Sequence, residues 1–422
     1  MSNHDTSIPL LKGNITIAAC EDTGPGAAQR YLLTLGDSYF LISLKARALI
    51  LALLRSPETR QQLESDFAAE TGDRIPATTL IALAKQTLPP VLFRDTPLPV
   101  PRKPFIVSAT VMTPSHAARV AAWLACLFKP RCAMPVVALF VLLHAMVLPD
   151  ALHAMHGNWT AAQTCALALL FLASGLFHEC GHIAACRYFR CDHGGIGFGL
   201  YLVFPVWYAD VTHAWQLQRR QRAVVDLGGV YFQAIFLIVV DLYALVSGDP
   251  VAFKLAWLIT FAMLFTLNPV FKFDGYWLLS DLSGLHNLHR QVRQSISALI
   301  ARAMRRQSAS RPPLQATILH AYLVLSACYF VYIGLFLGRE FFSSVGVLAS
   351  MTSADWQKSM SMGRMGWPET AAAITHGLGI LVWPFMIMLA SIFFLNRLRL
   401  GMGVIVSSIR EARTLPSRRH FI

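Results

Sequence analysis

His178, Glu179 and His182 are the residues of this chain whose types and spacing can do chemistry. They stand in the run His178-Glu179-Cys180-Gly181-His182. On a helix, residues four apart share one face, so both imidazoles can ligate a single zinc ion. Glu179 follows the first ligand, where its carboxylate can act as general base on water activated by the metal. The surroundings sharpen this reading. Residues 169–177 are almost wholly apolar, and residues 183–186 continue apolar after the run. Ionisable residues inside a membrane helix are costly and usually functional. The plainer alternative is a polar patch packed inside a helical bundle, and a third ligand at the same depth separates the two.

The elements that must position these residues follow from composition. The chain has 422 residues, 55% of them hydrophobic and 14% charged, with mean hydropathy +0.50. That is too apolar for one soluble domain and predicts a mainly α, polytopic helical membrane protein. About six candidate spans, each near the ~20 residues a bilayer needs, cover 133–148, 161–186, 224–246, 251–271, 318–337 and 371–395. Residues 117–128 read as an interfacial helix. The net charge of +13 would suggest nucleic acid in a soluble protein. Here the basic residues fall in loops, where they orient the chain and meet anionic headgroups of the lipid bilayer, so no nucleic-acid partner is expected.

Loop charges set an orientation. Residues 151–160 and 247–250 carry no Lys or Arg, whereas Arg187, Arg190, Arg219, Arg220 and Arg222 fill the loop after the second span. Arg397, Arg399, Arg410, Arg413, Arg418 and Arg419 make the tail basic. Positive-inside counting places both termini in the cytosol, in what would be a bacterial cytoplasmic membrane. The second span then carries His178 and His182 in its cytosolic half. The fourth span runs the same way and ends at Asn268-Pro269 and Asp274-Gly275, so Asp274 is a candidate third ligand. Pro269 interrupts the helix and Gly275 permits a tight turn. Asp-Gly is also an ordinary turn at a membrane edge.

Residues 1–94 read as a small cytosolic α+β domain. Strands at 31–35 and 39–43 flank Gly36-Asp37-Ser38, and three helices follow in a winged-helix layout. Residues 95–131 combine a proline-rich linker with the interfacial helix, 132–396 form the transmembrane domain, and 397–422 are a basic cytosolic tail. Cys20, Cys126, Cys132, Cys165, Cys180, Cys186, Cys191 and Cys328 form no CxxC pair. Cys186 shares the histidine side of its helix and reads as a packed thiol. His144, His153 and His156 cluster toward the outer face and read as interfacial. Asp241 reads as a polar packing residue, and Asp210 and His213 as solvated.

His178-Glu-Cys-Gly-His182, followed by Asn268-Pro269 and Asp274-Gly275, resembles the site-2 protease family of intramembrane zinc metalloproteases. The resemblance covers residues 161–281. It implies Zn2+ held by His178, His182 and Asp274, with Glu179 activating water and Asn268 as a candidate donor to substrate or oxyanion. For Asn268 the alternative is local satisfaction of backbone groups freed by Pro269. Gly228-Gly229-Val-Tyr-Phe-Gln233 stands where the family has a small-residue motif, with Gln233 at an Asn-like position, and helix packing is its expected role. Residues 196–210 resemble the family's membrane-associated strand, able to clamp an extended substrate by strand addition; the alternative is an interfacial aromatic loop. The loops leave no room for a PDZ domain, which sets the chain apart from the stress-response branch.

The N-terminal order of hairpin and three helices resembles the peptide-binding RiPP recognition element, which implies docking of a precursor's leader peptide. A DNA-binding winged helix competes poorly, because residues 78–85 carry a single basic residue, Lys85. The expected partners are therefore a peptide or membrane-protein substrate and a leader peptide. Two non-protease readings stand beside this one: a membrane receptor or export accessory with structural zinc, and a metal transporter.

Overall fold

The structure is a computed structural model that describes residues 7–20, 29–36, 38–97, 106–154, 160–201, 204–285, 287–288, 291–292 and 314–350, with isolated positions between 388 and 403. Nearly all of the expected sixth span and basic tail, His156 and most of the proline-rich linker lie outside the described residues.

The N-terminal part is a three-stranded antiparallel sheet backed by three helices. The strands are β1 (Ile15–Cys20), β2 (Arg30–Leu35) and β3 (Ser38–Ser43), in the order β1-β2-β3. Period-two alternation in β2 buries Tyr31, Leu33 and Leu35 on one face. Gly36, at φ +56, turns the chain into β3. The strand β1 is an addition to the sequence reading; its run Ile-Thr-Ile-Ala-Ala-Cys carries little of the aromatic signal that marks its neighbours. Helix α1 (Leu44–Leu54) is capped by Ser43, whose hydroxyl accepts from the Ala46 N–H. Helix α2 (Arg60–Thr71) is capped by Thr59 and stopped by left-handed Gly72. With α3 (Ala77–Thr87), these helices seal Leu33, Leu35, Ile50, Leu53, Leu63 and Leu80 in one core.

The rest is a helical bundle with a second small sheet. Its helices are α4 (Pro114–Leu124), α5 (Pro130–Ala154), α6 (Ala161–Tyr188), α7 (Arg219–Ser247), α8 (Pro250–Thr266), α9 (Asp274–Ser283) and α10 (Leu314–Ser350). Among the described residues, α5, α6, α7 and α10 are long and apolar enough to cross a membrane. Helix α8 has 17 residues, because Asp249-Pro250 starts it late and Asn268-Pro269 stops it early. It packs with α5 and α7 around Val147, Ala151, Leu237, Ala244, Leu255 and Ile259.

The second sheet joins β4 (Val107–Met112), β5 (Ile196–Tyr201) and β6 (Phe204–Ala209) in that order, all antiparallel. The β5–β6 hairpin occupies the segment expected to be a membrane-associated strand. The strand β4 lies in the segment read as linker and interfacial helix, and its partner is far along the chain, beyond the reach of local pattern. Helix α4 packs Ala117 and Ala121 onto the surface formed by Cys180, Ile183, Ala184, Ile196 and Phe232.

One packing detail corrects the sequence reading and another agrees with it. His144 does not face the outer interface. Its Nδ1 meets Asp241 Oδ2 at 3.0 Å and its Nε2 meets Thr260 Oγ1 at 3.0 Å, a buried polar tie between α5, α7 and α8. The end of α6 is closed by left-handed Arg190, and the Cys191 N–H bonds the Cys186 carbonyl at 2.9 Å. This turn brings positions 186 and 191 together, the contact that usually accompanies such a helix stop. Both cysteines are buried in an apolar cluster with Ala185, Ala214 and Val225, so Cys186 is a packed thiol, as its setting in the sequence suggests.

Candidate metal centre

His178 and His182 project from one face of α6, with ring centroids 4.8 Å apart. Each ring is oriented from α7. The His178 Nδ1–H donates to Gln233 Oε1 at 3.0 Å, and the His182 Nδ1–H donates to the Val225 carbonyl at 2.7 Å. An acceptor at each Nδ1 makes that nitrogen a donor, so in the neutral ring each Nε2 presents a lone pair. The two Nε2 atoms lie 3.1 Å apart. Asp274 Oδ2 completes the group, 3.1 Å from His178 Nε2 and 3.6 Å from His182 Nε2. That oxygen is buried and accepts no hydrogen bond.

With both rings neutral, these three converging atoms are electron-rich, and a cation between them relieves their repulsion. A tetrahedral zinc with bonds of about 2.0–2.1 Å holds its ligand atoms roughly 3.3 Å apart. The observed separations of 3.1, 3.1 and 3.6 Å bracket that value. Two imidazoles and one carboxylate also form a donor set typical of catalytic zinc, with a coordination position left for water. The residues present therefore fit the ion. Among the described residues this is the one group of three or more such side chains close enough to hold a metal.

Glycines set the depth of the pocket. A Cβ on Gly181 would strike the Gly228 carbonyl, and one on Gly229 would strike the His178 ring. The helices α6 and α7 thus cross backbone to backbone at the ligands, as small residues allow in membrane bundles. Gly275 is equally constrained, because a Cβ there would overlap the Leu267 carbonyl. This close approach folds the loop after α8 back, so that Asp274, the first residue of α9, faces the histidines.

Glu179 lies within electrostatic reach of His178, His182 and Asp274, and the Ala209 backbone N–H at the end of β6 donates to its carboxylate. The sheet thus ends at the proposed base. Asn268 sits in the loop between α8 and α9. Its Oδ1 accepts from the Val270 N–H at 2.9 Å, and its side chain also bonds Tyr329 of α10. These contacts are the local satisfaction weighed as the alternative to a catalytic role. Tyr322, also on α10, donates to the Pro269 carbonyl at 3.0 Å.

Gln233, expected to serve helix packing, also holds the His178 ring. The signal was available: Gly229 and Gln233 are four apart on α7, so whatever Gly229 touches, Gln233 overhangs. Partners of this kind fix ring orientation and basicity. Gln233→Ala is expected to weaken metal affinity about 10- to 100-fold, measured by chelator competition. An unchanged affinity would return Gln233 to packing.

A second network holds α9, the helix that begins at Asp274. Arg222 of α7 grips Asp281 of α9 through Nε (3.0 and 2.9 Å) and Nη2 (2.8 Å), with both side chains buried. Its guanidinium also lies 5.4 Å from the ring centre of Trp215, which meets Trp277 of α9 edge to face. Arg222→Ala would strand Asp281 as a buried charge, a loss of about 3–5 kcal/mol; thermal unfolding of the purified chain measures it, and an unshifted midpoint would contradict the buried pairing. His213 is likewise not simply solvated. It belongs to the same short turn as Trp215 and meets Tyr39 of β3 at 2.8 Å, while Gln216 donates to the same Tyr39 hydroxyl at 3.0 Å. Asp210 accepts from the Thr212 N–H and hydroxyl at the start of that turn.

Comparisons with known proteins add one relative. The chain is 24% identical over 150 residues to a Bacillus subtilis (strain 168) protein named "Putative peptide zinc metalloprotease protein YydH", a match covering 35% of this chain. The matched region spans 59% of that relative's length. No family model matches the chain, and no solved structure matches it.

Proposed function

We propose that this chain is an intramembrane zinc metalloprotease of the site-2 type, hydrolysing a peptide bond in a membrane-associated or ribosomally made precursor peptide. The observation that carries the reading is the convergence of two Nε2 lone pairs and the unpartnered Asp274 oxygen beside Glu179. The name of the Bacillus subtilis relative supports the same chemistry.

His178, His182 and Asp274 would hold the ion. Bound there, zinc supplies Lewis acidity, polarising a carbonyl and lowering the pKa of water toward ~7. Glu179 takes the proton from the attacking water and returns it to the leaving amine. Gln233 and the Val225 carbonyl keep both rings in register throughout. Asn268 is assigned to shaping the Asp274 loop, with donation to the oxyanion as its catalytic alternative. Among the described residues β6 is an outer strand of its sheet and ends at the Ala209 donor to Glu179, which supports an extended substrate strand there. A helical substrate must unwind first, since its own hydrogen bonds occupy the peptide carbonyl.

The N-terminal part would dock the substrate or its leader. Its support is the outer position of β3 among the described strands, with Tyr39 tied to the turn between β6 and α7. The chain is assigned to a bacterial cytoplasmic membrane with both termini cytosolic. The test is incubation of the full chain in nanodiscs with candidate precursor peptides, followed by product masses. Cleavage that stops with a zinc chelator and returns with added zinc is expected. Cleavage indifferent to chelation would overturn the assignment.

A further inference from the structure

A groove on the far side of the sheet from Glu179 has no part in the proposed chemistry. Val111 and Met112 of β4 line one wall, and His116, Arg119, Val120 and Trp123 of α4 line the other. The strand β4 is the outer strand of its sheet, two strands from β6, or about 10 Å. A peptide seated there would hold its scissile bond too far from the metal ligands, so the groove needs a different occupant.

Its chemistry is specific. Helix α4 spends Ala117 and Ala121 on α6. The opposite face carries His116, Arg119 and Trp123, three and four residues apart, all exposed. Trp123 is 84% exposed, and Ile106, Val107 and Val111 leave β4 uncovered at 69%, 68% and 53%. Lys129 and Arg131 follow, also exposed, where the chain enters α5. The start of a spanning helix fixes this surface at headgroup depth. There an indole sits between acyl chain and water, and each nearby cation attracts an anionic headgroup. Neither water nor bilayer core alone suits a surface that mixes bare Val and Ile with three cations.

We infer that the groove between β4 and α4 is a binding site for an acidic phospholipid, with Arg119 meeting its phosphate, Trp123 and Val111 its glycerol and upper acyl chain, and the exposed Lys129 and Arg131 adding positive charge further along the chain. The site holds this corner of the catalytic sheet in the membrane surface. It requires only that the chain spans a membrane and is independent of the peptidase reading.

The test uses the full chain in nanodiscs with lipids brominated near the headgroup, which quench nearby tryptophan. Brominated phosphatidylglycerol is expected to quench more than brominated phosphatidylcholine, through an enrichment of about fivefold from the ~1 kcal/mol of one surface cation. With nine tryptophans in the chain, that difference is expected to fall by the Trp123 share in Trp123→Phe and to shrink in Arg119→Gln, both exposed positions that leave the core untouched. Equal quenching by the two lipids, or a difference undiminished by Trp123→Phe, would overturn the site. Inorganic phosphate at millimolar concentration is expected to leave the difference intact; its abolition would mean a free anion is bound instead. A photo-crosslinking residue at Trp123 identifies the occupant by mass: a phospholipid adduct supports the inference, and a peptide or second-copy adduct refutes it.

Discussion

Glu179→Gln is expected to leave the metal in place and to lower hydrolysis by about 10²- to 10⁴-fold, the range of a lost general base. The substitution keeps the shape of the side chain. An amide oxygen can still accept from the Ala209 N–H, so the junction between α6 and β6 survives. The atoms that would hold the ion belong to His178, His182 and Asp274, and none of them changes. What disappears is the capacity to take a proton from water. Two readings taken on one sample, bound zinc per chain and the rate of precursor cleavage, distinguish this from damage to the site. Loss of zinc together with cleavage would make Glu179 a structural residue. Undiminished cleavage would remove it as the base and require another group near the ligands to carry the proton.

Gly229→Ala is expected to damage the site from the neighbouring helix although residue 229 is not a ligand. The added methyl would fall on the Nε2, Cε1 and Cδ2 atoms of His178. A Cβ has no rotamer with which to avoid them, so either the ring turns or α6 and α7 separate. A turned ring loses Gln233 and points its lone pair away from Asp274. Separation opens the Gly181–Gly228 crossing. The expected results are a fall in metal affinity of at least 10- to 100-fold, as for a lost orienting partner, and overpacking strain of about 1–3 kcal/mol. Gly338→Ala on α10 is the control, because a Cβ there meets nothing within 4 Å. It should be neutral or raise stability by about 0.5–1 kcal/mol. Wild-type zinc retention in Gly229→Ala would mean that the close crossing is absent in the folded protein.

The contrast between these two residues shows what a sequence can reveal of such a site. His178, Glu179 and His182 were legible because their chemistry is written in their side chains at helical spacing. Asp274 was legible because Pro269 and Gly275 mark a backbone that must bend. The Val225 carbonyl was not legible, since every residue offers the same acceptor and only the helix crossing selects this one. Gln233 was visible as a residue, but its role depends on which face of α7 meets α6. The tie of His144, Asp241 and Thr260 joins three helices and has no local pattern. The strand β4 pairs with a partner nearly ninety residues away, so its own short alternation says little. Helix type and position survived well for α1, α6 and α7, where caps and apolar runs agree. Helix α8 is shorter than the expected 251–271 span, at 17 residues, because a proline bounds each end.

The central claim is that His178, His182 and Asp274 hold one zinc ion. Metal content and zinc K-edge absorption on the purified full chain test it most directly. The expected result is close to one zinc per chain, with a shell of two imidazoles and oxygen ligands and no sulfur. Replacing Asp274 by Ala should cut occupancy while Cys186→Ser leaves it unchanged. Well-folded wild-type protein without zinc, or a shell containing sulfur from Cys180 or Cys186, would contradict the account.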